Sequence, residues 1–184
     1  MLYLASASPR RSDLLKLAGF YFQVDPAQID EHMEQEDPAC LVQNLALKKA
    51  RAVAARHPND IVLAADTTVA LDNQILGKPI SSTQAEQMLR MLSNRIHQVY
   101  TGYCILKQNR LELGVCRTSV EFYPLSDSDI QHYISTGEPF DKAGGYGIQG
   151  LGALLVRKID GDFYNVVGLP IAPVSRLLHS FDSE

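Results

Sequence analysis

Five apolar residues in succession, Ile61-Val62-Leu63-Ala64-Ala65, run straight into Asp66. A half-buried strand would alternate apolar with polar residues. This run instead describes a strand covered on both faces, as in α/β proteins whose helices flank a sheet. The surrounding sequence supplies the helices. Residues 9–18 read as a helix burying Leu14, Leu15, Leu17 and Ala18, with a short strand at 2–5 before it and Gly19 as its stop. Asp37-Pro38 is an N-cap and first-turn pair for a long helix reaching about His57-Pro58. Residues 67–71 extend the apolar strand to an Asp72-Asn73 turn. Thr83 and Glu86 have capping-box spacing for a helix containing Met88, Leu89, Met91 and Leu92 and ending near Ser93-Asn94. Residues 99–106 and 115–122 read as a β pair with a polar connection. Ser126 and Asp129 open a helix ended by Gly137, residues 153–159 read as a strand, and 170–178 as the last helix. No repeat, low-complexity tract or linker interrupts the 184 residues, so one domain is expected.

Charge and cysteine content remove several function classes. Lys and Arg number 17 against 21 Asp and Glu, a net charge of -4, so no field favours a nucleic-acid polymer and any nucleic-acid-like ligand is expected to be small. Cys40, Cys104 and Cys116 are odd in number and widely spaced, which suits neither a disulfide framework nor a CxxC zinc site, and reducing cytosol is the expected compartment. No stretch reaches the ~18 uninterrupted apolar residues of a membrane span, and the first residues do not form a signal sequence. A cytoplasmic protein without membrane association is expected. His57, His97 and His132 are scattered with no HExxH pattern, and there is no GxSxG or Cys/His signature, so neither zinc nor a covalent nucleophile is assigned.

Ser6-Ala7-Ser8-Pro9-Arg10-Arg11 lies between the first strand and the first helix. Ser8 suits the N-cap, and Pro9 suits the first helical position because its missing N–H would be unpaired there anyway. Free amides and the positive end of the helix dipole then face whatever stands in front, and Arg10 and Arg11 add donor forks suited to phosphate oxygens. The hexapeptide is either an anion site or an ordinary capped helix with two solvated arginines.

Asp66 ends the buried strand, where an unpaired carboxylate is costly and where ligands of open α/β sheets bind. It either holds a metal or a proton, or caps the next element through the Thr67 and Thr68 backbone. Glu31, in the acidic stretch 30–36 that reads as an exposed loop, is either solvated or a second oxygen ligand to Mg2+. At 100° per residue Lys49 falls near the centre of the face formed by Leu41, Val42, Leu45, Ala52 and Val53, with Lys48 at its margin. Its ammonium either snorkels to a rim or meets a carboxylate or phosphate. Lys78, in Gly77-Lys78-Pro79, is a surface lysine or a point charge for phosphate. Five of the twelve glycines lie between Glu138 and Gly152, beside Asp141, Lys142 and Gln149, without the spacing of a dinucleotide or Walker loop. They mark a bulged strand edge or a close approach to a ligand, with the Gln149 amide suited to the edge of a base.

Ala5-Ser6-Ala7-Ser8-Pro9-Arg10-Arg11, Leu45-Ala46-Leu47-Lys48-Lys49-Ala50, Ala65-Asp66-Thr67-Thr68-Val69, Gly77-Lys78-Pro79, the glycine-dense segment 138–150 and Asn165-Val166-Val167-Gly168-Leu169-Pro170 follow one another in an order that resembles the Maf family of nucleoside triphosphate pyrophosphatases. The resemblance runs through nearly the whole chain, with Ala7 a small departure where glycine is common. It implies a single α/β domain over 1–184, a mixed twisted sheet flanked by helices, with two lobes around a deep cleft, related to inosine triphosphatases. It implies a cytoplasmic enzyme, often a homodimer, that uses Mg2+ or Mn2+ to split a nucleoside triphosphate into monophosphate and pyrophosphate. Carried over by position, Asp66 is the proton acceptor, Glu31 a cleft carboxylate that with Asp66 would hold the metal, and Arg11, Lys49 and Lys78 cleft cations. Arg10, Thr67 and Gln149 fall on base-selecting positions, and Ser8, Asp141 and Lys142 join the expected substrate contacts. In a branch acting on 7-methyl-GTP, Trp, Gln and Glu tend to replace those three base-selecting residues, so this chain looks like the branch acting on dTTP and UTP. A nucleotide-binding regulator of septation without catalysis is the rival from another class.

Overall fold

A computed structural model describes residues 1–32, 37–72 and 74–182. In chain order its elements are β1 (Leu2–Leu4), α1 (Pro9–Leu17), β2 (Gln23–Val24), α2 (Pro38–Ala54), β3 (Ile61–Leu71), β4 (Gln74–Leu76), α3 (Ser82–Leu92), β5 (Ile96–Lys107), β6 (Arg110–Phe122), α4 (Asp127–Ser135), β7 (Val156–Asp160), α5 (Phe163–Val167) and α6 (Ile171–Asp182). Three 3-10 turns, Glu138–Asp141, Ala143–Gly145 and Gly150–Leu155, lie between α4 and β7. The sheet is mixed and runs β2-β1-β3-β5-β6-β7. β1 is parallel to β2 and β3, and the remaining ladders are antiparallel.

β3 is covered as its sequence requires, with Val62, Leu63, Ala64 and Ala65 inaccessible to solvent. On one face α2 lays Ala46, Ala50 and Val53 over Val62, Ala64 and Cys104. On the other, Leu14 and Leu15 of α1 and Val174, Leu178 and Phe181 of α6 pack on Leu63, Ala65 and Ile105. A further core joins α3 and α4 to the far half of the sheet through Leu89, Leu92, Ile130, Val99 and Phe122.

The sheet is split beside β3. β5 occupies one edge of β3 along nearly its whole length, from Val62 to Ala70. The other edge is shared: β1 pairs with residues 61–63 and β4 with residues 69–71. Residues 64–68 therefore face a gap between the two short strands, and the bare backbone there must find other partners. Asp66 and Thr67 sit in this gap and point to opposite faces, because side chains alternate along a strand.

Several boundaries differ from the sequence expectation. Leu17 is 69% exposed rather than buried. At 100° per residue it lies roughly 110° from the centre of the arc holding Leu14, Leu15 and Ala18. α3 is capped by Ser81, whose side chain accepts from the Gln84 N–H at 3.2 Å, and not by Thr83. That frees Glu86 to bind Arg90 one turn on. The β5–β6 hairpin turns in two residues, Gln108 and Asn109, with Gln108 at φ 52°. The expected polar connection is strand instead, since Leu111, Leu113 and Val115 alternate with Glu112, Gly114 and Cys116. The expected strand at 153–159 begins only at Val156. Gly150, at φ 68°, and the Glu138 carboxylate, which accepts from the Leu151 and Gly152 N–H groups, hold the preceding residues in a 3-10 turn. The capping box of Ser126 and Asp129 and the N-cap at Asp37 form as expected. Of the expected acidic loop and turn, residues 33–36 and Asn73 lie outside the described residues.

α2 approaches the sheet closely because Gly102 of β5, paired with Asp66, has no side chain. A Cβ there would stand 2.4 Å from the carbonyl carbon and oxygen of Val42 and 2.6 Å from the Gln43 nitrogen. All three are backbone atoms, so the helix itself would have to move. Gly102→Ala is expected to cost about 2–3 kcal/mol, the upper range for overpacking, read as a lowered urea midpoint at unchanged slope. An unchanged midpoint would contradict the close packing of α2.

Candidate active site

The gap beside β3 opens into a cavity of about 620 Å³, within the range of small-molecule sites. Every residue singled out from the sequence lines it: Ser8, Arg10, Arg11, Glu31, Lys49, Asp66, Thr67, Lys78, Asp141, Lys142 and Gln149. They arrive from α1, the segment after β2, α2, β3, the segment after β4, and the glycine-dense turns.

The floor is an ionic junction. Lys49 is only 8% exposed, which settles for burial the choice its place on the apolar face of α2 left open. Its Nζ donates to Asp66 Oδ1 at 2.5 Å and stands 2.8 Å from Glu31 Oε1. One ammonium thus binds two carboxylates from different segments. Asp66 does not cap its own turn, and Lys49 does not snorkel to a rim. The two contacts differ in kind: the Asp66 side chain is 16% exposed and that of Glu31 56%. Burial pushes the Glu31 carboxyl up, but the hydrogen bond and charge of Lys49, with the charges of Lys78 and Arg11, outweigh it and hold the carboxyl below its ordinary value. Lys48, at the margin of the same helix face, instead donates to the Asp30 carbonyl at 2.5 Å.

Arg11 forms the wall at the first turn of α1. Its Nε donates to the Gly168 carbonyl at 2.8 Å, and its two Nη atoms donate to Ser6 Oγ at 2.9 Å and Thr67 Oγ1 at 3.0 Å. Burial lowers the guanidinium from its usual value, Asp66 and Glu31 working against that shift and Arg10 with it, and it remains a cation at neutral pH. Thr67 continues the chain to Thr101 Oγ1 at 2.9 Å, and Thr101 donates to the Asn165 carbonyl at 3.0 Å. The Asn165 side chain, fully buried, donates to the Val99 carbonyl and Thr118 Oγ1. Ser8 occupies the N-cap with extended backbone, yet its side chain makes no capping bond, correcting that part of the sequence reading. Ser6 Oγ accepts the Ser8 N–H instead, at 3.3 Å.

At the mouth, Arg10 donates to Asp141 at 3.0 Å, and Lys142 donates to the other oxygen of the same carboxylate at 2.6 Å. Lys78 and Gln149 are exposed on the cavity rim. Ser6, Thr101, Asn165 and Gly168 carry no role in the sequence reading. Ser6 does fall inside the hexapeptide noticed there, and Asn165 and Gly168 inside the 165–170 segment. Thr101 had no signal, being one polar residue in an ordinary strand.

Glu31 and Asp66 offer hard oxygen donors converging on one ammonium. That suits Mg2+ or Mn2+, which combine one or two carboxylates with phosphate oxygens and water. Among the described residues, no group of three or more His, Cys, Asp or Glu forms an all-protein cage. No helix among them is long and apolar enough to cross a membrane.

The chain is similar to known proteins along nearly its whole length. The family described as Maf-like protein matches residues 1–181. A dTTP/UTP pyrophosphatase of Bacillus mycoides is 46% identical over the whole of this chain and 96% of its own length. One from Symbiobacterium thermophilum is 50% identical over 98% of this chain and 93% of its own. Among solved structures, the Staphylococcus aureus Ham1 protein aligns with a TM-score of 0.49 and 15% identity, over 66% of this chain and 71% of its own.

The Lys49 contact sets a pH dependence. Because the folded Glu31 carboxyl lies below the ordinary 4.5, its contribution to stability is complete above that pH and is lost as pH falls through the folded value. Lys49→Met removes the main favourable partner and leaves the burial. The Glu31 carboxyl is then expected to titrate at higher pH than in the wild type, read by carboxyl 13C NMR. An unmoved titration would contradict the contact.

Proposed function

The chain belongs to the Maf-like protein family, and from that premise we propose that it hydrolyses dTTP and UTP between the α- and β-phosphates, yielding the nucleoside monophosphate and pyrophosphate. The observation that carries the reading is the Lys49 ammonium holding Asp66 and Glu31 together on the floor of a cavity walled by Arg11 and rimmed by Lys78. Positive charge for a triphosphate and a carboxylate for a proton thus meet in one place.

Asp66 is the proton acceptor. Lys49 engages Oδ1, and among the described residues no hydrogen-bond donor is found on Oδ2, which leaves that oxygen for a water. The water oxygen bonds to the α-phosphorus, its proton passes to Asp66, and the bond from the α-phosphorus to the bridging oxygen breaks. The electron pair of that bond leaves with pyrophosphate. Arg11, Lys49 and Lys78 face the charge that develops, Arg11 and Lys49 preorganised by the bonds already described, and such preorganisation is the larger share of catalysis in phosphoryl transfer. Glu31 and Asp66 would hold a Mg2+ or Mn2+ ion, which when bound supplies further neutralisation of the phosphate oxygens.

Base selection falls to Arg10, Thr67 and Gln149. Gln149 presents an amide donor and acceptor at the rim, and Asp141 with Lys142 fixes the direction of Arg10. The Thr67 hydroxyl is already engaged by Arg11 and Thr101, so its influence on the base passes through the placement of Arg11. Ser8 adds a hydroxyl beside the first turn of α1. The reading takes residues 1–184 as one domain of two lobes, acting as a homodimer in the cytoplasm.

Asp66→Asn keeps the shape of the side chain and removes the proton acceptor. Turnover of dTTP and UTP is expected to fall by about 10²–10⁴-fold, with pyrophosphate the wild-type product in the presence of Mg2+. Wild-type turnover by Asp66→Asn would overturn the assignment of Asp66. In a panel that includes CTP and 7-methyl-GTP, preferential cleavage of 7-methyl-GTP, orthophosphate as product, or no cleavage at all would overturn the substrate reading.

A further inference from the structure

A second ionic cluster lies outside the cleft, around Asp25, and the chemistry described above does not use it. The Asp25 carboxylate accepts from Arg56 through both oxygens, Oδ1 from Nη2 at 2.8 Å and Oδ2 from Nε at 3.0 Å. Its Oδ2 is also 2.8 Å from His57 Nε2. The His57 ring stacks on Tyr3 of β1 with centroids 3.6 Å apart and planes 17° from parallel. The Asp25 N–H donates to the Leu4 carbonyl at 3.0 Å. One residue therefore ties together β1, which leads into the Ser6–Arg11 segment, the end of β2, and the turn that follows α2, the helix that carries Lys49.

Asp25 also starts the segment that brings Glu31 to Lys49. That segment has no helix or strand of its own, yet Pro26, Ala27 and Glu31 line the cleft. α2 and the turn after it grip it along its length: Arg56 of the turn holds Asp25 and reaches the Pro26 carbonyl at 3.4 Å, and from α2 Lys48 holds the Asp30 carbonyl and Lys49 meets the Glu31 carboxylate. The Glu31 side chain is more than half exposed and packs little, so its position depends on these anchors. The bidentate arginine fork gives the Asp25 anchor a fixed direction as well as a charge.

We propose that Asp25, gripped by Arg56 and His57, is a positioning residue that sets where the Glu31 carboxylate stands against Lys49. The proposal rests on the reading of Glu31 as part of the machinery that hydrolyses the triphosphate. Placement matters there because displacement of a catalytic group by about 1 Å can cost up to about 10²-fold in rate.

A double-mutant cycle tests it. Asp25→Ala is expected to lower kcat for dTTP about 10-fold in the wild-type background and less than about 2-fold in a Glu31→Gln background, since a residue that acts through Glu31 has nothing left to position. Amide hydrogen exchange across residues 26–32 is expected to quicken in Asp25→Ala, with that of β3 and β5 unchanged. Asp25→Asn keeps an oxygen acceptor for Arg56 and is carried in parallel, with a smaller loss of the same non-additive kind; should the alanine variant not fold, the asparagine pair decides between the outcomes. Equal losses in both backgrounds, or unchanged exchange across 26–32, would overturn the proposal alone. A Glu31→Gln enzyme with wild-type kcat would overturn the reading of Glu31 and the proposal with it.

Discussion

The contact of Lys49 with both Asp66 and Glu31 is the constraint around which the cleft is arranged. A lysine on the buried face of a helix and an aspartate on a buried strand would each be costly alone, and each is tolerable because the other stands within hydrogen-bonding distance. The pair also needs room. The split in the sheet, where β1 ends and β4 has yet to begin, leaves the Asp66 region of β3 without a neighbouring strand on that edge. Gly102 on the opposite side lets α2 come close enough for Lys49 to reach. Strand length, helix approach and charge placement are therefore parts of one arrangement, and the buried pair has a use that a well-packed apolar pair could not supply.

The second face of β3 is organised by hydrogen bonds rather than ion pairs. Arg11, Thr67, Thr101 and Asn165 form a continuous series that reaches into the core, where the Asn165 side chain bonds to β5 and β6. Each of the three guanidinium nitrogens has a fixed acceptor, so the group is aimed without further ordering. Such preorganisation is what lets a cation act on developing charge, since little reorientation is needed when the charge appears. The two faces differ accordingly: the α2 side holds the carboxylates, and the α1 side holds the fork.

Much of this was legible in the sequence for particular reasons. The apolar run before Asp66 read as a doubly covered strand, and Lys49 at the centre of an apolar helical face left two outcomes, a rim or a buried partner, of which the structure shows the second. The motifs shared with the Maf family named the same residues independently, and the cavity brings all of them together. Other features were not legible because they depend on residues distant in sequence. Nothing near Thr83 shows that Ser81 would take the cap first. The glycines near residue 150 do not by themselves reveal that the Glu138 carboxylate, a dozen residues earlier, holds a 3-10 turn where a strand was expected. Thr101 looks like an ordinary strand residue, and Asn165, though it opens a quoted motif, carries no hint of a role until the fold sets both behind Arg11.

The most direct measurement is a crystal structure of the protein with Mg2+ and a dTTP analogue carrying a non-hydrolysable α–β bridge. The triphosphate is expected in the gap between β1 and β4, flanked by Arg11, Lys49 and Lys78, with the α-phosphorus the phosphorus nearest Asp66 and the thymine directed toward Gln149. A triphosphate seated elsewhere, or one whose γ-phosphorus is nearest Asp66, would contradict the role given to the ionic junction.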